Sequence, residues 1–508
     1  MRSLIRAGDV HIGSAPENNI CDIPHGIGAP ASPSLHVRAG MCPAVVPHKY
    51  QLICWISSSA LPSRAMASTL GLLVRLCAVA VASAAAIPTN HTSIMPRNSF
   101  PKLVVAHFMV GNTYPYTVDE WAADIALAHS KGIDGFVLNV GGGDWQPLRV
   151  ADAYSAAANS GTDFKLFLSL DMTSMSCASN GAAVALRHYI TAYASHPNQL
   201  LYDGRVLVST FSGENCHFGA SNVNDGWQAT IKDGVPGVFF LPSFFVDPAT
   251  FGQYPVADGF FNWNGGWPMG NYDVNFESDN HYLNNLGGRT FMAAVSPWFF
   301  THYGPGSFNK NWIYRSDDWL FARRWEDIIS NRDQVDIAEV ITWNDYGESH
   351  YIGPIEGAQP NSQAWVNGFD HQGWLDLNQY YIEAYKTGSY PSISRDHVFL
   401  WARLFPAAAS TTDSVSRPDR ADFTQDFLWA VVLLASPAQV TLACGPNTQT
   451  TDVPAGLAKL KLPLTTDCDV SSTVSRDGQL VINFHPKGFH FSTTPTMYNF
   501  NAFVAASP

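Results

Sequence analysis

Two carboxylates three residues apart, Asp345 and Glu348, stand just beyond a short apolar run, Ile337 to Thr342, in the company of Trp343, Asn344, Tyr346 and His350. Paired carboxyl groups divide acid and base work: one protonates a departing oxygen while the other activates water or attacks carbon, which is how a glycosidic bond is cut. The same Asp-x-x-Glu spacing also caps a helix. The neighbours favour chemistry, because Trp343 and Tyr346 offer ring faces to a sugar and Asn344 and His350 offer directional hydrogen bonds, none of which a cap needs. Glu348 is read as the general acid and Asp345 as the general base. An inverting pair stands roughly 6.5 to 9.5 Å apart, wider than an i, i+3 pair on a helix, so the segment must be extended or the base must be another residue such as Asp171.

Such a pair needs a scaffold. Eight apolar runs follow one another: Leu103 to Met109, Gly135 to Val140, Lys165 to Asp171, Arg205 to Phe211, Val238 to Phe244, Gly259 to Asn264, Thr290 to Pro297 and Ile337 to Asn344. Most are apolar on both faces, as parallel strands between a core and an outer helical layer would be. Helical periods fall between them, one opening at Thr117 with Glu120 placed for a capping box, others spanning Ala182 to Ser195, Ser316 to Ile329 and Leu377 to Lys386. The order predicts a (β/α)8 TIM-like barrel over residues 87–390, whose active site lies at the carboxyl ends of the strands. After Tyr390 short strands and turns predict a β-sandwich over residues 391–508, serving to bind carbohydrate or to cover the barrel.

The strand ends carry His107, Asn139, Asp171, Asn262, Trp263 and Trp298, with Trp267 close behind. His107, Asn139 and Asn262 are expected to meet sugar hydroxyls, and Asp171 is the best third carboxylate. Trp263, Trp267 and Trp298 are the expected aromatic platforms, the Gly265-Gly266 pair suggesting close approach of a ligand. Each has a plainer reading as core packing or a satisfied core polar group. No metal-ligand spacing or nucleotide-binding fingerprint accompanies them, so neither a metal nor a cofactor is expected.

Only 14% of residues are charged, 13% are aromatic and the formal net charge is −13, a balance unsuited to nucleic acid. Met66 to Ala86 reads as a secretory signal peptide with an Ala-x-Ala end, which makes residues 1–65 an extended leader and places the mature chain outside the cell or in the cell wall. The apolar run is interrupted by Arg75 and too short to anchor in a membrane. Asn90-His91-Thr92 follows as a glycosylation acceptor, and the body's four cysteines are expected to pair as Cys177 with Cys216 and Cys444 with Cys468.

Val105 to Asn112, Phe167 to Met172, Asn262 to Pro268, Ser296-Pro297-Trp298 and, above all, Trp343 to Ser349 resemble the fungal α-1,3-glucanases, or mutanases, of glycoside hydrolase family 71. The resemblance runs from about Leu103 to the C-terminus. It implies secreted, inverting endo-hydrolysis of α-1,3-glucan, with Asp345 and Glu348 as the catalytic pair and the polysaccharide as the partner; the chain is expected to be a monomer. Two other readings remain: a non-catalytic sugar-binding protein on a degenerate barrel, and a retaining glycosidase acting on another glucan.

Overall fold

The computed structural model describes residues 100–508. The expected leader, signal peptide and Asn90 acceptor lie outside them. Eight parallel strands form one curled sheet: β1 Leu103–Met109, β2 Gly135–Val140, β3 Lys165–Asp171, β4 Arg205–Phe211, β5 Val238–Phe240, β6 Gly259–Asn262, β7 Thr290–Val295 and β8 Ile337–Val340. They pair in the order β5-β4-β3-β2-β1-β8-β7-β6, and a two-residue strand, Leu201–Tyr202, lies antiparallel to β4. Between β5 and β6 no ladder forms. Two backbone hydrogen bonds cross there, Asp258 N to Phe240 O at 2.8 Å and Phe261 N to Pro242 O at 3.0 Å. The architecture is therefore mixed α/β with a curled sheet of eight strands, followed by separate C-terminal β-sheets.

Period-two alternation decides what the sheet encloses. Val105, Val137, Phe167, Leu207, Phe239, Phe261, Met292 and Ile337, one from each strand, share a single buried cluster on the concave side. Their neighbours Ala106, Phe136, Leu166, Val208, Phe240, Phe260, Phe291 and Ala338 belong to the cluster shared with the surrounding helices. Burial on both faces is why these strands read as continuous apolar runs. The last four end earlier than expected because the chain turns into loops as soon as it clears the sheet.

The helix Val118–Ser130 begins as its sequence requires: Thr117 N donates to Glu120 Oε2 at 2.7 Å, Asp119 N donates to Thr117 Oγ1, and Trp121, Ile125 and Ala128 face the core. Gln146–Asn159 is a further helix that the apolar-period reading passed over, because its buried face is built largely of alanine.

Beyond residue 390 the chain forms two antiparallel sheets. One orders Gly456–Pro463, Phe427–Leu434, His397–Ala402 and Phe503–Ala506; the other is built on Asn447–Val453, Ala438–Cys444, Cys468–Arg476 and Gln479–Phe484. The first sheet buries both faces. Val398, Leu400, Leu428 and Val432 meet the second sheet, whereas Phe399, Trp401, Trp429 and Val431 join the main core. Arg476-Asp477-Gly478 forms the expected hairpin turn, with φ of 50° at Asp477 and 74° at Gly478. Both disulfides pair as expected, each with Cα atoms 5.2 Å apart. Among the described residues no helix is long and apolar enough to cross a membrane.

Candidate active site

The chain leaving β8 does not enter a helix. Residues 346–349 make a turn in which Asp345 Oδ1 accepts Glu348 N at 3.4 Å, the long first bond of a cap with no helix behind it. Asp345 N is fixed on Thr342 Oγ1 at 2.7 Å. Ser349 adopts φ of 61°, a left-handed conformation that turns the backbone between Glu348 and His350. His350 Nε2 then lies 3.2 Å from Glu348 Oε2 and 3.6 Å from Asp345 Oδ2. The imidazole is buried, while the two carboxylate side chains keep 18% and 23% of their surface.

A second cation reaches Glu348 from outside this segment: Lys310 Nζ is 3.5 Å from Oε1. Burial alone would raise the Glu348 pKa, but the Lys310 charge and the His350 hydrogen bond outweigh it and hold the carboxyl below the usual range. Burial would likewise lower His350, yet its bonds to Asp345 and Glu348 push it up to about 9. At neutral pH the cluster therefore carries an imidazolium and an ionised Glu348. The two cations beside Glu348 favour its ionised form, which suits a base better than the general acid expected of it.

Asp345, Glu348 and His350 each present one atom within 4.8 Å of the others, close enough in outline to hold a metal ion. Lys310, 3.5 Å from Glu348 Oε1, already compensates one of the two carboxylates, which disfavours a further cation there. The same 4.8 Å places the carboxylates nearer than the roughly 6.5 to 9.5 Å of an inverting pair.

The other expected residues separate into two groups. Trp263 is partly exposed, its ring edge-on to His107 at 4.8 Å and to Phe211 at 5.0 Å. Asp171 is also partly exposed, at the end of β3, where its Oδ1 accepts from Thr173 N and Oγ1 at 3.0 and 2.6 Å. His107 and Asn139 lie lower, 1% and 4% exposed. His107 Nδ1 is 2.6 Å from Glu339 Oε1 on β8.

Five residues are structural instead. Trp298 is fully buried, stacks on Trp374 and donates its indole N–H to Phe500 O at 3.0 Å. Trp343 is fully buried against Phe136, and Tyr346 is fully buried with its hydroxyl donating to Pro354 O at 2.9 Å. Asn344 stitches β8 to β1 by accepting Met109 N at 2.7 Å, and Asn262 caps its own loop by accepting Gly265 N at 3.1 Å. The expectation that these five touch sugar is corrected: each spends its polar group or ring face inside the protein. Gly265 is explained the same way, since a Cβ there would meet Asn262 Nδ2 at 2.6 Å. Trp267 is 4% exposed and edge-on to His350 at 5.6 Å, which makes it a wall behind the cluster.

Lys310 and Glu339 were not found by reading the sequence. Glu339 had a signal, a charge at an inward position between Ile337 and Ile341. Lys310 had none, because it arrives on a hairpin between Phe300–His302 and Asn311–Ile313.

Residues 100–508 match the sequence model of Glycosyl hydrolase family 71. The glucan endo-1,3-alpha-glucosidase agn1 of Schizosaccharomyces pombe is 44% identical over 413 residues, 79% of this chain and 94% of that protein. The mutanase Pc12g07500 of Penicillium rubens is 35% identical over 82% of this chain and 91% of its own length. The ascus wall endo-1,3-alpha-glucanase of S. pombe is 34% identical over 79% and 96%. Among solved structures, a GH99 endo-alpha-mannosidase from Bacteroides thetaiotaomicron aligns with a TM-score of 0.43 at 11% identity, over 56% of this chain and 98% of that one. With a family match spanning the whole described region and relatives of this identity along nearly their full lengths, the chain belongs to glycosyl hydrolase family 71.

Proposed function

We propose that the chain is an endo-acting hydrolase of α-1,3-glucan that works outside the cell or in the cell wall as a monomer. The observation that carries this is the carboxylate pair Asp345 and Glu348, open to a cleft at the end of β8 and held by His350 and Lys310. A sugar-binding protein has no use for two adjacent carboxylates kept in distinct environments. The names of the S. pombe and P. rubens relatives supply the linkage.

Glu348, kept ionised, acts as the base that activates water, and Asp345 acts as the acid on the departing oxygen. The bond between anomeric carbon and bridging oxygen breaks as water adds, and the water's proton passes to Glu348. Inversion at carbon is the stereochemistry the family resemblance implies. The tight spacing favours a second reading in which Asp171, at the end of β3 and near enough to act on Lys310, supplies one of the two carboxyl groups. Trp263, partly exposed, is the sugar contact, and His107 and Asn139 lie lower beneath it.

The cleft belongs to a closed (β/α)8 barrel in this reading, supported by the two hydrogen bonds between β5 and β6 and by the eight-strand inner cluster. Residues 391–508 form an accessory β-sandwich fixed to it. Digestion of purified α-1,3-glucan, followed by NMR of the first-formed anomer, tests the function: β-configured reducing ends are expected. Glu348→Gln and Asp345→Asn should each cost on the order of 10² to 10⁴ in rate. No release of sugar from α-1,3-glucan, or near-full activity in either variant, would refute the reading, and Asp171→Asn decides between the two carboxyl partners.

A further inference from the structure

We propose that Lys310 is a positioning residue that keeps Glu348 in its ionised, working form, and that the C-terminal part of the chain holds the hairpin that delivers it. The proposal rests on the reading of Glu348 as the base.

The hairpin grips Glu348 twice. Lys310 Nζ faces the carboxylate at 3.5 Å, and Phe300 N donates to the Glu348 carbonyl at 3.0 Å. The approach is close, since a Cβ on Gly347 would meet Tyr303 Oη at 2.3 Å. The hairpin is itself clasped by the segment from Asp413 to Asp419. Ile313 N donates to Asp419 O at 3.1 Å, Asp419 N to Asn311 O at 3.0 Å, and Asn311 Nδ2 to Ser416 O at 2.7 Å. His302, buried at the loop end of the hairpin's ladder, lies 3.0 Å from Asp413 Oδ2. Removing this clasp would leave Lys310 on a two-stranded ribbon, which is marginal alone in water.

The remaining groups around Glu348 make Lys310 the charge that matters. Asp345 brings no positive charge, and His350 is shared between Asp345 and Glu348. Tyr303 and Tyr314 are neutral, burial raising both. Arg420 is turned onto the Tyr314 ring, 5.2 Å from its centre, and Asp171 acts on Lys310. Lys310 is thus the cation in direct ion pair with Glu348, while it acts on Asp345 only from farther away.

The test uses the full chain as Lys310→Met, Lys310→Arg and Asp413→Ala. In Lys310→Met the acid limb of the kcat/KM pH profile should move up by about one pH unit or more, because a carboxylate without its cation protonates more easily. Lys310→Arg should restore the wild-type limb, and Asp413→Ala should move it part of the way. Carboxyl-¹³C-glutamate NMR, with Glu348 identified by its loss in Glu348→Gln, reads the same titration without activity. An unmoved limb and an unmoved Glu348 titration in Lys310→Met would overturn the proposal; no movement in Asp413→Ala would overturn the clasp. Full activity in Glu348→Gln would refute the base assignment instead, leaving the NMR titration to judge the Lys310 pairing.

Discussion

His350 Nε2 lies 3.2 Å from Oε2 of Glu348, and the same nitrogen is 3.6 Å from Oδ2 of Asp345. One buried imidazole thus sits against both carboxyl groups of the pair. Its pKa is raised from an ordinary 6.5 to about 9 in the folded protein. A cation whose folded pKa exceeds its unfolded one stabilises fully below the unfolded value and loses that contribution as pH climbs through the folded value. The melting temperature should therefore fall between about pH 6.5 and 9, and His350→Gln should melt lower at pH 6 and show a flatter slope across that window. Parallel slopes in differential scanning fluorimetry would argue against a protonated His350.

Trp263 is the one indole among the expected platforms that stays partly exposed, its ring edge-on to His107 and Phe211. Loss of a stacked ring should weaken binding more than chemistry. Trp263→Ala is expected to raise KM for α-1,3-linked oligosaccharides roughly tenfold, about 1.4 kcal/mol, with kcat changed little. A KM that stays within twofold would remove Trp263 from the sugar-binding surface.

What could be read from the sequence follows from what burial does to residue types. The first four strands were legible to their ends because each is apolar on two buried faces. Asn447–Val453 and Gly456–Pro463 were not, since polar residues on their exposed positions hide the strand period. Asp345, Glu348 and His350 could be grouped because they are neighbours in the chain. Trp298 and Trp263 look alike in sequence, yet Phe500, more than two hundred residues away, accepts the N–H of the first and leaves the second in the cleft. Lys310 belongs to the same class of long-range fact: only the hairpin's docking brings it to Glu348.

Glu339 and His107 meet at 2.6 Å beneath the cleft, both 1% exposed, and neither Glu339 Oε2 nor His107 Nε2 has a protein partner. Burial pushes the Glu339 carboxyl up, partly offset by the His107 hydrogen bond. Truncating one side of such a buried pair costs about 3 to 5 kcal/mol, because the other side stays desolvated and alone. Glu339→Ala should lose that much in guanidinium unfolding, and Glu339→Gln markedly less, since its amide oxygen still accepts from Nδ1. Equal losses in the two variants would mean that Glu339 fills space and does not hold the ring.

Asp317 is fully buried where the curled sheet's helical layer meets the C-terminal sheets, and it serves both sides of that boundary. It pairs with Arg403 and accepts the indole N–H of Trp429 at 2.7 Å, while Trp401 donates to Asp318 O at 2.9 Å and Trp319 returns a bond to Ala430 O at 3.1 Å. Arg403 in turn pairs with Asp426 at 2.7 Å. Asp317→Ala strands the guanidinium's inner edge and the Trp429 N–H, so a loss of about 3 to 5 kcal/mol is expected. Because the first C-terminal sheet buries a whole face on the main core, the loss should lower a single cooperative transition and not release the C-terminal sheets as a separate early melt. Two resolved transitions in calorimetry, with catalytic activity surviving the first, would show that residues 391–508 are only a covering layer; one transition that carries activity with it would mean that the clasp on the Lys310 hairpin and the weld at Asp317 are parts of one folding unit.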